Sequence, residues 1–226
     1  MPKIAIVPAG KTNALAFDLG VPTSWNAEDA VRAVMAGHVA ERSPIEVWRP
    51  GALRAELRGF IFGAGAFVRA TELAQTTHRF GAFNGLAVGL SIAGAVGQTL
   101  FGGRGNSWRQ GEKMRIARDG AVIDAPQYML LGSTLSQMPL KIKPFGHARA
   151  GLKLLRIEAS PRRMIRSLPA LLGGSEPAWL AKAGYHREDA TRVDLHLDNG
   201  FIMDGEVFEG GDISLRLGAP MRFVVP

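Results

Sequence analysis

The chain has 226 residues, 46% of them hydrophobic, which is enough for a full core and too apolar for a disordered protein. Cysteine is absent, and the five histidines (38, 78, 147, 186 and 196) show no metal spacing. A disulfide framework, a thiolate nucleophile and a cysteine-based zinc site are therefore excluded. The formal charge of +7 suits an anionic partner: nucleotide, nucleic acid or an acidic membrane surface.

No basic flank precedes an apolar core at the start, so a cytoplasmic protein is expected. Ile4 to Val7 reads as a short strand, broken by Pro8-Ala9-Gly10. Thr12 or Asn13 caps a helix from about Asn13 to Leu19, and Gly20 stops it. A strand, a glycine-bearing turn and a helix start in this order form a candidate phosphate site, because free N–H groups and the helix dipole favour an anion. Lys11 adds positive charge, although an ordinary strand-to-helix turn fits the same residues. A second helix begins near Asn26, with Glu28 and Asp29 in its first turn and Ala30, Val31 and Val34 as its apolar stripe, and ends at Gly37. One strand and two helices make half of an α/β layer. Residues 1–43 thus read as a remnant of an α/β domain, with Ile4 to Val7 outside the main sheet.

The rest, residues 44–226, reads as β-rich. Ile45 to Trp48 and Leu57 to Ala66 are extended runs, and Gly59, Gly63 and Gly65 in the second suggest close backbone approach at a cleft. Thr71 to about Phe80 reads as a polar helix. Ala82 to Gly103 carries no charged residue, which is long enough for a membrane span. Asn84, Ser91, Gln98 and Thr99 dilute it, so a close-packed helix or one lining a greasy groove is expected instead. Met114 to Arg118 and Ala121 to Ile123 flank a hairpin turn at Asp119-Gly120. Tyr128 to Gly132, Leu140 to Ile142 and Leu152 to Ile157 read as further strands. Ser160-Pro161 opens a helix to about Leu172 that carries Arg162, Arg163 and Arg166; it suits either a packed helix or one resting on an anionic bilayer. Ser175 to Ala190 reads as a linker with a helical turn near Trp179.

In the last third, Val193, Leu195 and Leu197 alternate with Asp194, His196 and Asp198. Asn199-Gly200 fits a tight turn, and an extended run then carries Asp204 and Glu206 two positions apart, which sends both carboxylates from one face. Ile213 to Leu217 and Met221 to Val225 close an expected antiparallel meander. Asp204-Gly205-Glu206 reads either as a charged turn or as paired carboxylates at the edge of a cleft. The expected fold is α+β and mainly β: an antiparallel, sandwich-like domain with helices across it, preceded by a short α/β remnant. Nucleic acid is not an expected partner, since the strands lack interleaved basic and aromatic residues.

The run Ile6-Val7-Pro8-Ala9-Gly10-Lys11-Thr12-Asn13-Ala14-Leu15-Ala16 with Leu19-Gly20 resembles a motif of the diacylglycerol and sphingosine kinase family. Asn199 to Pro226, including Asp204-Gly205-Glu206, is similar to that family's C-terminal segment. The order of elements from Leu140 to Gly174 also agrees. The resemblance implies an α/β nucleotide domain, a β-sandwich-like lipid-binding domain, and transfer of the γ-phosphoryl of ATP to a lipid hydroxyl with Mg2+. Carried onto this chain, it implies that Glu206 is the general base. Gly10, Lys11, Thr12 and Asn13 would lie on the nucleotide side, and Asp204 and Gly205 would line the nucleotide-facing part of the cleft. The family's glycine-rich nucleotide motif has no counterpart here, Lys11 replaces a glycine or threonine, and Arg149 stands where acidic residues are common. The resemblance therefore implies a lipid kinase-like protein, weak or inactive alone, peripheral on the inner membrane surface, and either truncated or paired with a separately encoded nucleotide-binding domain. The alternative is a non-catalytic lipid-binding relative.

Overall fold

A computed structural model describes residues 2–9, 13–70, 107–147 and 151–226. The expected helix at 71–80 and the uncharged stretch 82–103 lie outside the described residues.

The main sheet is antiparallel and folds over on itself into two facing layers. The first contains β3 (Ile45–Trp48), β4 (Leu57–Gly59), β6 (Glu112–Arg118), β10 (Arg192–Leu197) and β13 (Gly211–Leu217). The second contains β5 (Ile61–Gly65), β8 (Leu152–Glu158), β9 (Tyr185–Ala190), β11 (Phe201–Met203) and β12 (Glu206–Phe208). The long strand β7 (Ala121–Ser133) joins them. Its first half pairs with β6 and its second half lies between β5 and β8, with a register shift between Gln127 and Met129. Such a shift bends a strand, so one strand can serve both layers.

The core follows from strand alternation. Ile45, Val47, Met114, Val193, Leu195 and Leu215 of the first layer meet Phe62, Leu130, Leu152, Leu154 and Phe201 of the second. On the outer side of the second layer, Leu131, Leu155, Ile157 and Tyr185 pack under helices α4 (Met164–Gly173) and α5 (Ala178–Lys182). This is the expected mainly β, α+β architecture. A short helix, α3 (Ser107–Gln110), precedes β6.

A second, three-stranded sheet holds β1 (Lys3–Ile4), β14 (Met221–Val224) and β2 (Val39–Arg42). The first strand therefore lies outside the main sheet, as expected, but it covers Lys3–Ile4 and not Ile4 to Val7, and it runs parallel to the C-terminal strand. Helices α1 (Ala14–Asp18) and α2 (Ala27–Ala36) share an apolar cluster with Phe60, Leu135 and Phe223. The Asn26 side chain caps α2 in a reciprocal capping box with Asp29, and Gly37 ends it at φ 79°. Its inward stripe is Ala30 and Ala33, whereas Val31 and Val34 are exposed. Small residues let α2 approach its neighbours closely; of the expected stripe Ala30 is buried, while Val31 and Val34 are not part of the inward face.

Several other expectations are corrected. The last third is not a meander. Strand β10 pairs with β13 and β6, while the β11–β12 hairpin inserted between β10 and β13 pairs with β5 in the other layer. Strand β14 leaves the main sheet altogether. Leu140 lies in a 3-10 turn, Pro139–Lys141, with Leu140 at φ 59° and Lys141 at φ 55°, values incompatible with a strand. Helix α4 starts at Met164 and not at Pro161: Arg163 at φ 52° interrupts the helical path, and the Tyr185 hydroxyl donates to the Arg162 carbonyl at 2.9 Å. Part of the supposed linker is strand β9.

Candidate functional site

The β11–β12 hairpin turns on two residues. Met203 pairs with Glu206, and the intervening Asp204 and Gly205 have φ of 49° and 96°. Two positive φ values are what a type I′ turn needs, and Asp-Gly supplies them at low cost. This corrects the expectation that Asp204 and Glu206 lie along one extended run. Asp204 is in the turn and Glu206 is the first residue of β12, so strand alternation does not pair their side chains.

Asp204 has a definite task. Its carboxylate accepts the Phe60 N–H at 3.0 Å and the Ile61 N–H at 2.8 Å, and its own N–H donates to the Ile61 carbonyl at 2.9 Å. Phe60 is where the chain leaves β4 in the first layer for β5 in the second. Asp204 thus supplies the acceptor for N–H groups at a corner between layers. The turn itself is exposed, yet its carboxyl is drawn over the corner. Loss of solvent there raises the Asp204 pKa above the usual carboxylate value; the Phe60 and Ile61 N–H groups oppose the rise and the charge of Glu206 adds to it. Gly59 is needed beside this corner: a Cβ on it would lie 2.5 Å from the Met203 sulfur and 2.7 Å from Asp204 Oδ2. Glu206 is exposed.

The corner touches the small unit as well. Phe60 packs edge-on against Phe223 with ring centroids 6.0 Å apart, and its carbonyl accepts the Ser133 hydroxyl at 2.9 Å. Phe60 shares its apolar cluster with Ala14, Leu15 and Ala16 of α1. Asn13 precedes α1 in the left-handed region at φ 42°, but its side chain makes no capping hydrogen bond, contrary to expectation, and its amide donates instead to the Pro8 carbonyl at 3.5 Å. Gly10, Lys11 and Thr12 lie outside the described residues, as does Arg149.

A buried ionic cluster was not anticipated from the sequence. Asp18, with a fully buried side chain, accepts from Arg42 Nε and from the Gln137 N–H, each at 2.5 Å. Lys153 is buried on β8 and donates to the Leu135 carbonyl. Burial lowers the Lys153 pKa, while nearby Asp18 pushes it back up. These groups join α1, β2, the segment after β7 and β8. A helix ending in aspartate gives no hint of this, because the partners are remote in sequence.

A groove of about 520 Å³ lies on the outer face of the first layer, between Trp48, Arg115, Arg192 and Arg216. None of the sequence-predicted site residues lines it.

No family model and no curated protein matches the chain. Solved structures do. A protein of Bacillus anthracis strain Sterne, named as a diacylglycerol kinase, superposes with a TM-score of 0.67 at 13% identity, covering 100% of this chain and 69% of its own. Another structure so named, from the same organism, gives 0.60 at 14% identity over 100% and 68%. At this identity the likeness establishes a shared fold and leaves the site to be argued from its residues.

Proposed function

We propose that the chain is the lipid-directed part of a lipid kinase-like protein, in which Glu206 acts as general base toward a lipid hydroxyl. The observation that carries this is the setting of Glu206: an exposed carboxylate one residue beyond a turn that Asp204 ties to the Phe60 corner, within a fold shared with diacylglycerol kinases. A base must be held in place and still reach its substrate. The turn answers the first need and the exposure the second. Asp204 then acts as a positioning residue, with its carboxylate engaged by backbone N–H groups.

ATP and Mg2+ are implied by the resemblance. Among the described residues no three His, Asp or Glu side chains gather around a space for a metal ion, and Asp204 is committed to the corner. The described residues alone do not fit a Mg2+ site, and no step is assigned through the metal. Gly10, Lys11, Thr12 and Asn13 remain the proposed contribution to a nucleotide site, alongside a nucleotide-binding domain. Among the described residues no helix is long and apolar enough to cross a membrane. The second reading, a non-catalytic lipid-binding relative, is favoured by the commitment of Asp204 to the chain's own backbone.

The test is radiolabelled-ATP transfer to vesicles containing diacylglycerol, sphingosine or phosphatidylglycerol, with this chain alone and with an added nucleotide-binding domain. Weak turnover alone and clear turnover in the supplemented reaction are expected. Glu206→Gln should remove most of the rate and leave vesicle binding intact. Undiminished turnover in Glu206→Gln would take Glu206 out of the mechanism.

A further inference from the structure

Helix α4 buries Met164, Ser167, Ala170 and Leu171 against the second layer. Its other side carries Ile165, Arg166 and Pro169, with Arg162 and Arg163 just before its first turn. Ile165 is 65% exposed, an apolar side chain in the middle of a basic field. From Ala159 to Ser175 the sequence holds no acidic residue. Arg32, Arg49, Arg58, Arg118 and Arg192 each meet a carboxylate at 2.7 to 2.9 Å. Among the described residues Arg162, Arg163 and Arg166 meet none. The Arg166 guanidinium sits 5.6 Å from the centroid of the half-buried Trp179 ring on α5, which ends at the exposed Lys182.

We propose that this side of α4, with the adjoining α5, is the surface by which the protein docks on an anionic lipid bilayer. The inference deepens the lipid-directed reading above and rests on it for lipid as the occupant. Arginines that only keep a surface soluble are commonly interspersed with acids; here the run from Ala159 to Ser175 holds none, and no carboxylate among the described residues pairs with its three arginines. Cations around an exposed aliphatic side chain, with a tryptophan at the border, match the needs of an interface in which phosphate headgroups overlie acyl chains. Ile165 enters the acyl boundary and the arginines stay with the phosphates. An RNA would instead call for a free aromatic face, and the Trp179 ring already has Arg166 against it.

The experiment is vesicle sedimentation with phosphatidylcholine alone and with a mixture of phosphatidylcholine and phosphatidylglycerol. Wild type should bind the anionic vesicles, bind neutral ones poorly, and lose affinity as salt rises. Each basic residue at the surface is worth about fivefold in affinity, so the triple variant Arg162→Gln, Arg163→Gln, Arg166→Gln should bind about 100-fold more weakly. Ile165→Ser, which leaves the charge unchanged, should weaken binding several-fold. A control with the same change of charge elsewhere, Arg54→Gln, Lys113→Gln and Arg115→Gln, should lose less than about tenfold. Thermal unfolding checks that each variant is folded, and Ile165→Ser remains decisive if the triple variant is not. An equal loss in the control, or wild-type binding by the α4 variants, would overturn the proposal. So would binding of wild type to RNA or an acidic protein but not to vesicles. Glu206→Gln should bind vesicles like wild type. If phosphoryl transfer fails while binding still depends on α4, the catalytic reading falls and the docking surface stands.

Discussion

Asp18 at the end of α1 and Asp204 in the β11–β12 turn each accept backbone N–H groups from a segment remote in sequence. Asp18 holds Gln137 in the segment after β7, and Asp204 holds Phe60 and Ile61 at the corner between layers. Their surroundings differ. Asp18 has no exposed side-chain surface and is compensated by Arg42, with Lys153 close by; Asp204 stands in an exposed turn and holds N–H groups alone. The lesson concerns what is left behind when each is removed. Without Asp18, buried charges lose their counterpart. Without Asp204, neutral donors lose an acceptor.

That difference orders the expected losses. Asp18→Ala should be the most damaging change, at about 3 to 5 kcal/mol, because breaking a buried pair from one side leaves an uncompensated charge. Urea unfolding measures it, and a loss under about 1 kcal/mol would mean that Arg42 finds water or another partner. Asp204→Ala should cost about 1 to 3 kcal/mol through the orphaned Phe60 and Ile61 N–H groups. Asp204→Asn should cost less, since asparagine tolerates positive φ and keeps one acceptor oxygen. Equal losses for alanine and asparagine would show that charge, and not hydrogen bonding, holds the corner.

The same contrast marks what could be read from the sequence. The residues of β3, the Asn26 cap of α2 and the Asp119-Gly120 turn were visible by local rules, whereas the Asp204 turn was only one of two readings of a stretch first taken as extended. Asp18 was invisible because its partners lie 24 and 119 residues away. The change of layers at Phe60 was also hidden, since Leu57 to Ala66 reads as one extended run and only pairing with different neighbours divides it. Strand β9 was missed because Tyr185-His186-Arg187-Glu188-Asp189-Ala190 has no apolar alternation; β8 supplies the ladder that makes it a strand. Glu206 was proposed as a site residue through resemblance alone, and its hairpin position corrected its expected relation to Asp204.

Lys153 sharpens the comparison through pH. Its folded pKa lies below the ordinary lysine value of 10.5, chiefly because burial disfavours the charge. Protonation therefore favours the unfolded chain. Stability should rise as pH climbs from the folded pKa toward 10.5 and change no further on this account above it. Lys153→Met removes the dependence, so its stability relative to wild type should be highest near neutral pH and decline toward pH 10.5. The lost hydrogen bond to the Leu135 carbonyl offsets part of the gain. Urea unfolding across this range checks it, and a difference that grows with pH would reverse the assignment.

Glu206 should show the smallest effect on stability. It is exposed, and Gln keeps its length and shape, so Glu206→Gln should fall within about 0.5 kcal/mol of wild type. Its charge also raises the Asp204 pKa, and neutralising it should bring that carboxyl closer to the ordinary aspartate value. Because the folded pKa of Asp204 is raised, ionisation favours the unfolded chain: this contribution is present below the unfolded pKa and lost as pH rises through the folded one. Glu206→Gln should therefore make stability less sensitive to pH in the acidic range, with little change at neutral pH. Carboxyl titration by NMR, compared between wild type and variant, measures the shift directly. An unchanged Asp204 titration would mean that solvent screens the two carboxylates from each other. A large loss of stability at neutral pH would make Glu206 a structural residue of the hairpin and remove the reason for casting it as a base.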